Sequence, residues 1–418
     1  MTKSEEMLQA LENNDFVAAE LAFAEALKKD PEPVLAELGE ELYQLGFIEQ
    51  AVTLYEQLLA KNYQTSYLLS LGELAIEEDD YDKAFQYFDD IPASSPDYPA
   101  SLLDQADLYQ LIDIPEAAEQ KLLQAEKILP DEPLINFALA ELYFSLQQYQ
   151  KAATYYLVLI LDQNEEIAGQ NIAERLGVSY AMSGKFEEAV DYLQKALEKE
   201  VTDDRLFYLG YTYEMLDEGE KAIELYQQLL SLNDEYQSVY GPLGNLLQKE
   251  ERIEEADAVF TQGMKQNPFN VDLFLAGAQN AYRLKESTRA VDILTEALAI
   301  GDKEEEVVSA LANLYLQQEN FDVVLKLYQD HPLETPRAYW QQATAFNQLE
   351  DFVSAGKFFD LAAADLNHEP EFLKEYGLFL REEGRLKEAR DILQHYLAHE
   401  PEDLEIQSLV AALDHFAQ

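Results

Sequence analysis

The chain has 418 residues and no cysteine, and its 82 Asp and Glu against 29 Lys and Arg give a formal net charge of -53. That charge repels nucleic-acid phosphates and anionic lipid headgroups, so basic or neutral proteins are the partners it favours. The missing cysteines exclude disulfides, thiolate nucleophiles and thiolate metal ligands, while 48% hydrophobic content is ample for folding.

The N-terminal stretch MTKSEEMLQALENNDF lacks a basic region followed by an apolar core. The longest apolar run, Tyr155 to Leu161, is too short to span a bilayer. The expectation is a cytoplasmic protein without membrane insertion.

From there the chain repeats itself. Stretch 177–197, GVSYAMSGKFEEAVDYLQKAL, reads as two amphipathic helices joined at Ser183-Gly184-Lys185. Its second-helix alanine, Ala189, belongs to a series: Ala19, Ala51, Ala84, Ala118, Ala152, Ala189, Ala222, Ala256, Ala290, Val324, Ala355 and Ala389. The spacing is mostly 33 or 34, and a small residue there permits close helix contact. Twelve residues before each lies a second small position, which includes Gly39, Gly72, Ala106, Ala140, Gly177, Gly210, Gly244, Ala278 and Ala312. Four residues after each alanine comes a bulky side chain such as Tyr55, Phe88, Tyr156 or Phe260, one turn on along the same face.

On these residues the chain resembles the tetratricopeptide repeat family, whose unit is 34 residues long. Leu209-Gly210, Tyr213, Ala222 and Tyr226, and then Leu243-Gly244, Ala256, Phe260 and Pro268, match that pattern well. The resemblance implies an all-α solenoid of about twelve helix-turn-helix repeats, a right-handed superhelix in which residues 402–418 form the capping helix. The first repeat's opening helix reads as degenerate over Ser4 to Leu11. In length, acidity and unbroken repeats the chain looks like the YpiA-type repeat proteins of low-GC Gram-positive bacteria, which implies an adaptor.

Two irregularities divide the array. Three extra residues fall near Asp162 to Gln170, and the tenth repeat carries Val324 and then His331-Pro332, so its second helix must end early. The predicted runs are 1–166, 167–336 and 337–401, followed by the cap. The junctions near 165 and 334 read either as soft joints or as a tolerated insertion and deletion.

No phosphate-binding Gly-x4-Gly-Lys loop is present. His395 and His399 have metal-ligand spacing, yet no third ligand can be nominated, so no metal or cofactor is expected. The acidic runs at 77–80 and 304–306 read as solvated helix caps. The repeats leave no room for a separate catalytic domain, which points to a non-enzymatic scaffold; a metal-dependent hydrolase using unmarked groove carboxylates is the alternative.

In tetratricopeptide arrays the first helix of each repeat lines a concave groove, so by resemblance its non-packing positions meet the partner. Glu40, Glu73, Asp107 and Glu141 directly follow the small residue in repeats two to five, with Glu37 and Asp104 three residues earlier. They form a predicted acidic stripe. Phe137, Phe207, Tyr208 and Tyr211 continue it as a predicted aromatic platform. A protein or peptide with Lys/Arg and an apolar anchor suits such a surface.

Overall fold

A computed structural model describes residues 1–416 and contains two compact units, Met1–Asp217 and a second beginning at Glu218. The division lies inside the predicted middle run, and the expected joints near 165 and 334 are each internal to a unit.

Unit 1 comprises α1 (Lys3–Glu12), α2 (Phe16–Lys29), α3 (Glu32–Gln44), α4 (Ile48–Lys61), α5 (Thr65–Glu77), α6 (Tyr81–Asp89) and α7 (Tyr98–Leu111). It continues with α8 (Pro115–Ile128), α9 (Pro133–Ser145), α10 (Tyr149–Leu161), α11 (Ile172–Met182), α12 (Phe186–Lys199) and α13 (Asp203–Met215). Unit 2 comprises α14 (Gly219–Leu232), α15 (Tyr240–Lys249), α16 (Ile253–Gln266), α17 (Val271–Arg283), α18 (Ser287–Ile300) and α19 (Glu304–Gln317). It ends with α20 (Phe321–Asp330), α21 (Pro336–Gln348), α22 (Phe352–Ala362), α23 (Pro370–Glu382), α24 (Leu386–His399) and α25 (Leu404–Phe416).

Within each unit helices pack on their neighbours in sequence, as α1 on α2, α3 on α4 and α4 on α5, and first helices also touch across repeats, as α5 touches α7 and α15 touches α17. The alanine register holds throughout: all twelve positions, Val324 included, are buried. The first-helix small residue lies directly against the bulky residue sixteen positions later. A Cβ added at Gly72 would stand 2.3 Å from the Phe88 ring, and one at Gly244 would stand 2.4 Å from that of Phe260. No methyl group fits there.

Between paired helices one residue adopts the left-handed conformation, among them Asn14, Gly46, Asp79, Asp113, Gln147 and Gly184 in unit 1 and Glu251, Lys285, Glu319, Glu350 and Gly384 in unit 2. The following N–H reaches back to close the first helix, as Phe47 donates to the Leu42 carbonyl at 2.8 Å.

Three local expectations change or sharpen. The opening helix α1 is regular rather than degenerate, because Thr2 and Glu5 form a capping box at its start. The insertion near 165 folds into a hairpin pairing β1 (Glu166–Ile167) with β2 (Gln170–Asn171) through Ala168 and Gly169, both at positive φ. Asn171 then caps α11. As expected, α20 stops early, after ten residues, with His331 as its cap. A second shortening was not anticipated: α6 has nine residues and stops ahead of Ile91-Pro92. The last helix, α25, buries Ile406, Val410 and Leu413, with α24 as its neighbour.

Candidate functional site

Burying the small residue of a first helix determines what that helix presents. The residues two before it and one after it lie three apart, so they share a ridge turned away from the contact. Along α3, α5 and α7 that ridge carries Glu37, Glu40, Glu73, Asp104 and Asp107; all are exposed except Asp104, which is half-buried.

Glu40 and Glu73 line one cavity of about 520 Å³ between α3 and α5, together with Tyr43, Tyr55 and Ser70. Glu73, Asp104 and Asp107 form a tighter group. Burial, then the charges of Glu73 and Asp107, push the Asp104 carboxyl up to about 7. Loss of bulk water also raises Glu73 and Asp107. Those two keep accessible surface while the helices on either side displace the water beyond it, which reconciles their exposure with their desolvation. Among the described residues no Lys or Arg forms an ion pair with Glu37, Glu40, Glu73, Asp104 or Asp107.

The stripe ends at Glu141. Its carboxylate meets Arg175 of α11 at 3.1 Å and accepts the Tyr156 hydroxyl proton, and burial together with that carboxylate holds the phenol well above its ordinary range. Glu141 is therefore neutralised inside the array, in contrast to the open carboxylates before it. Arg175 stands over the Phe144 ring, 4.9 Å from its centroid. Its position, two before Gly177, was readable in the register. What the sequence did not reveal is that it reaches back one repeat to close the stripe.

The aromatic residues are arranged differently from a flat platform. Phe137 is 8% exposed and belongs to the core, because it stands three residues before Ala140, one step off the ridge, and packs inward. Phe207 and Tyr208 meet edge to face with centroids 5.6 Å apart, and Tyr211 meets Phe186 of α12 edge to face at 6.4 Å. All three are half-buried. Burial, and then the charge of Asp204, raise the Tyr208 phenol.

Behind this surface Arg205 locks α13 to the preceding repeat. It donates to Glu174 at 2.6 Å and to the Ala196 and Glu200 carbonyls at 3.1 and 2.9 Å. In unit 2 the Glu375 carboxyl accepts from Trp340 Nε1 and Thr344 Oγ1, each at 2.6 Å, and burial raises it. Among the described residues no group of three or more His, Asp or Glu side chains is placed to hold a metal ion, and no helix is long and apolar enough to cross a membrane.

Comparison with known proteins agrees with this architecture. Residues 336–403 match the family model described as YpiA-like, C-terminal tetratricopeptide repeats, and residues 110–164 match YpiA-like, tetratricopeptide repeats. Residues 36–99 and 174–237 match the general tetratricopeptide repeat. The TPR repeat-containing protein YpiA of Bacillus subtilis (strain 168) is 34% identical over 377 residues, 89% of each chain. The anaphase-promoting complex subunit CDC16 of Saccharomyces cerevisiae is 25% identical over 201 residues, 46% of this chain and 22% of that one. Among solved structures, yeast Tom70 aligns over 92% of this chain and 95% of its own at 16% identity, with a TM-score of 0.40.

Proposed function

Since the chain belongs to the YpiA-like family of tetratricopeptide repeat proteins, we propose that it is a non-enzymatic cytoplasmic adaptor that holds a partner protein on the first-helix ridge of unit 1. The partner segment carries Lys or Arg with an aromatic or apolar anchor beside it. One observation carries this reading: Glu73, Asp104 and Asp107 crowd together without a cation of their own. An incoming ammonium or guanidinium relieves that repulsion, and where water is partly excluded the gain exceeds that of an ordinary surface pair. Arg175 caps one end of the stripe by neutralising Glu141, which sets the length of basic segment that fits. The half-buried rings of Tyr208 and Tyr211 offer the anchor a surface beyond it.

The test is titration of a fluorescent Lys/Arg peptide bearing one Trp into the full chain. The comparison protein carries Glu73→Gln, Asp104→Asn and Asp107→Asn, which preserve shape and remove charge. Affinity should fall about tenfold or more in the variant, together with a shallower dependence on salt. Equal affinity and equal salt dependence in both proteins would sink the acidic-ridge reading.

A further inference from the structure

Away from the first-helix ridge, the second helix α2 departs from the register on its solvent side. Two residues before the close-packed alanine position, ten of the twelve repeats carry a polar or charged residue, such as Glu49, Glu116, Glu187 or Glu254, and two carry valine, Val17 and Val353. A carboxylate in that first turn suits the helix dipole, so valine there forgoes a favourable interaction and meets water instead. Two residues after the alanine position the other eleven repeats carry Ala, Thr, Gln, Asp, Glu or Lys, while the first carries Leu21. Phe16, Val17 and Leu21 are 58%, 72% and 67% exposed.

These residues form a seam. Val17, Leu21, Ala24 and Lys28 are all exposed and follow one another at intervals of four, three and four, the spacing by which one helix packs along another. The equivalent face of α22 is broken, because Val353 is followed by Lys357 and Asp360. A helix is therefore the shape that fits α2, and the seam is complementary to itself. Turned end over end about a two-fold axis midway between Leu21 and Ala24, each leucine faces an alanine and each Val17 faces Lys28.

Charge favours the same arrangement. α2 carries Glu20, Glu25, Lys28 and Lys29, so it is neutral within a chain of net charge -53. Lys29 pairs with Glu25, whereas among the described residues Lys28 forms no ion pair. Beside Val17 opens a cleft of about 210 Å³ lined by Met7, Leu11 and Phe47, with Glu20 and Gln50 at its polar side. In the antiparallel pair the Lys28 stem of one copy covers Val17 of the other, and its ammonium comes within reach of Glu20. Antiparallel helices also set their dipoles against each other favourably.

We infer that the exposed seam of α2 is a self-association surface, through which two copies of this chain pair two-fold and antiparallel. A helix of 14 residues is about 21 Å long. Its seam is smaller than the roughly 800 Å² per partner of a standard interface, so the pair is reversible and forms only at high concentration. Elsewhere the two copies repel one another, and salt screens that repulsion without weakening the apolar contact. Pairing therefore tightens as salt rises, in contrast to the binding of a basic segment on the acidic ridge.

The test is sedimentation equilibrium of the full chain over about 1–300 µM, a range that spans weak pairing, at low and moderate salt. The mass should rise toward that of a dimer and no further, and rise more at moderate salt. Val17→Glu with Leu21→Glu restores the polar pattern of the other repeats and should weaken pairing about tenfold or more, with thermal unfolding unchanged. Val353→Glu, the control, should pair like the parent. Because the chain has no cysteine, orientation is read by oxidising Val17→Cys and Lys28→Cys proteins separately and mixed. Antiparallel pairing brings position 17 against position 28 and holds like positions about 16 Å apart, beyond disulfide reach, so cross-linked dimer should appear only in the mixture. A chain that stays monomeric at both salts overturns the inference and leaves the seam to a helix of another protein. Pairing that survives the Val17→Glu, Leu21→Glu change, growth beyond a dimer, or cross-links within either single variant overturns it equally, whether or not the acidic ridge binds its own ligand.

Discussion

Gln105 sits in α7 where the neighbouring first helices place leucine, as at Leu38, Leu71, Leu139 and Leu176. It is 2% exposed, and its Oε1 has no hydrogen-bond partner. An unmatched buried polar atom costs about 1–3 kcal/mol, so Gln105→Leu should raise stability by about 1–2 kcal/mol in urea unfolding. Asp104 gives a pH-dependent counterpart. Its folded carboxyl titrates near 7 against an ordinary 3.8, so the folded chain binds the proton more tightly than the unfolded one. Stability from this group is present below about pH 4 and is lost as pH rises to about 7. Asp104→Asn should therefore be more stable than the parent at pH 8 and equal to it near pH 4, and a variant that gains nothing at pH 8 would show the carboxyl to be well solvated. A cationic ligand lowers the same pKa, so binding on the acidic ridge should release protons and tighten as pH rises from about 5.5 to 8. Register alone marked Glu37, Glu40, Glu73, Asp104 and Asp107 as ridge residues. It could not separate them from Glu141, because whether a carboxylate stays open depends on which cation reaches it across the repeat.

At the scale of the helix pair, the contact between first-helix small residue and second-helix bulky residue sets the packing distance. Gly244→Ala drives a methyl into the Phe260 ring, which stands 2.4 Å from the added carbon. The expected cost is about 1–3 kcal/mol, and a double-mutant cycle with Phe260→Leu should show the two changes to be coupled. The turns respond in the opposite sense. Glu350 occupies the left-handed region at φ 62. An ordinary side chain there costs about 1–2 kcal/mol, against which glycine loses about 0.5–1 kcal/mol through unfolded-state entropy. Glu350→Gly should yield a net gain of roughly 0.5–1 kcal/mol, visible as a higher unfolding midpoint. These elements were legible as a period of about 34 residues, down to the early end of α20 at His331-Pro332. Less legible were the short α6, whose signal was Pro92, and the hairpin at 166–171, because two residues of strand leave no periodic trace.

For the whole chain the dominant quantity is the net charge of -53, a self-repulsion that added salt screens. The melting temperature should rise from very low salt to about 0.15 M NaCl, where the screening length has fallen to about 8 Å; a temperature that falls instead would mean that local pairs such as Arg205–Glu174 outweigh the global field. The all-α repeat architecture and the family follow from the sequence, because alanine and glycine at a constant spacing are demanded by close helix contact wherever they occur. The placement of the acids on a first-helix ridge follows from the same spacing. Only the tertiary structure decided that Asp104 shares its water-poor setting with Glu73 and Asp107, that Arg175 closes the stripe, and that Phe137 belongs to the core. A sequence period records which face of its own helix a residue occupies, whereas solvation, pairing and cavities depend on the side chains that neighbouring helices bring to the same place.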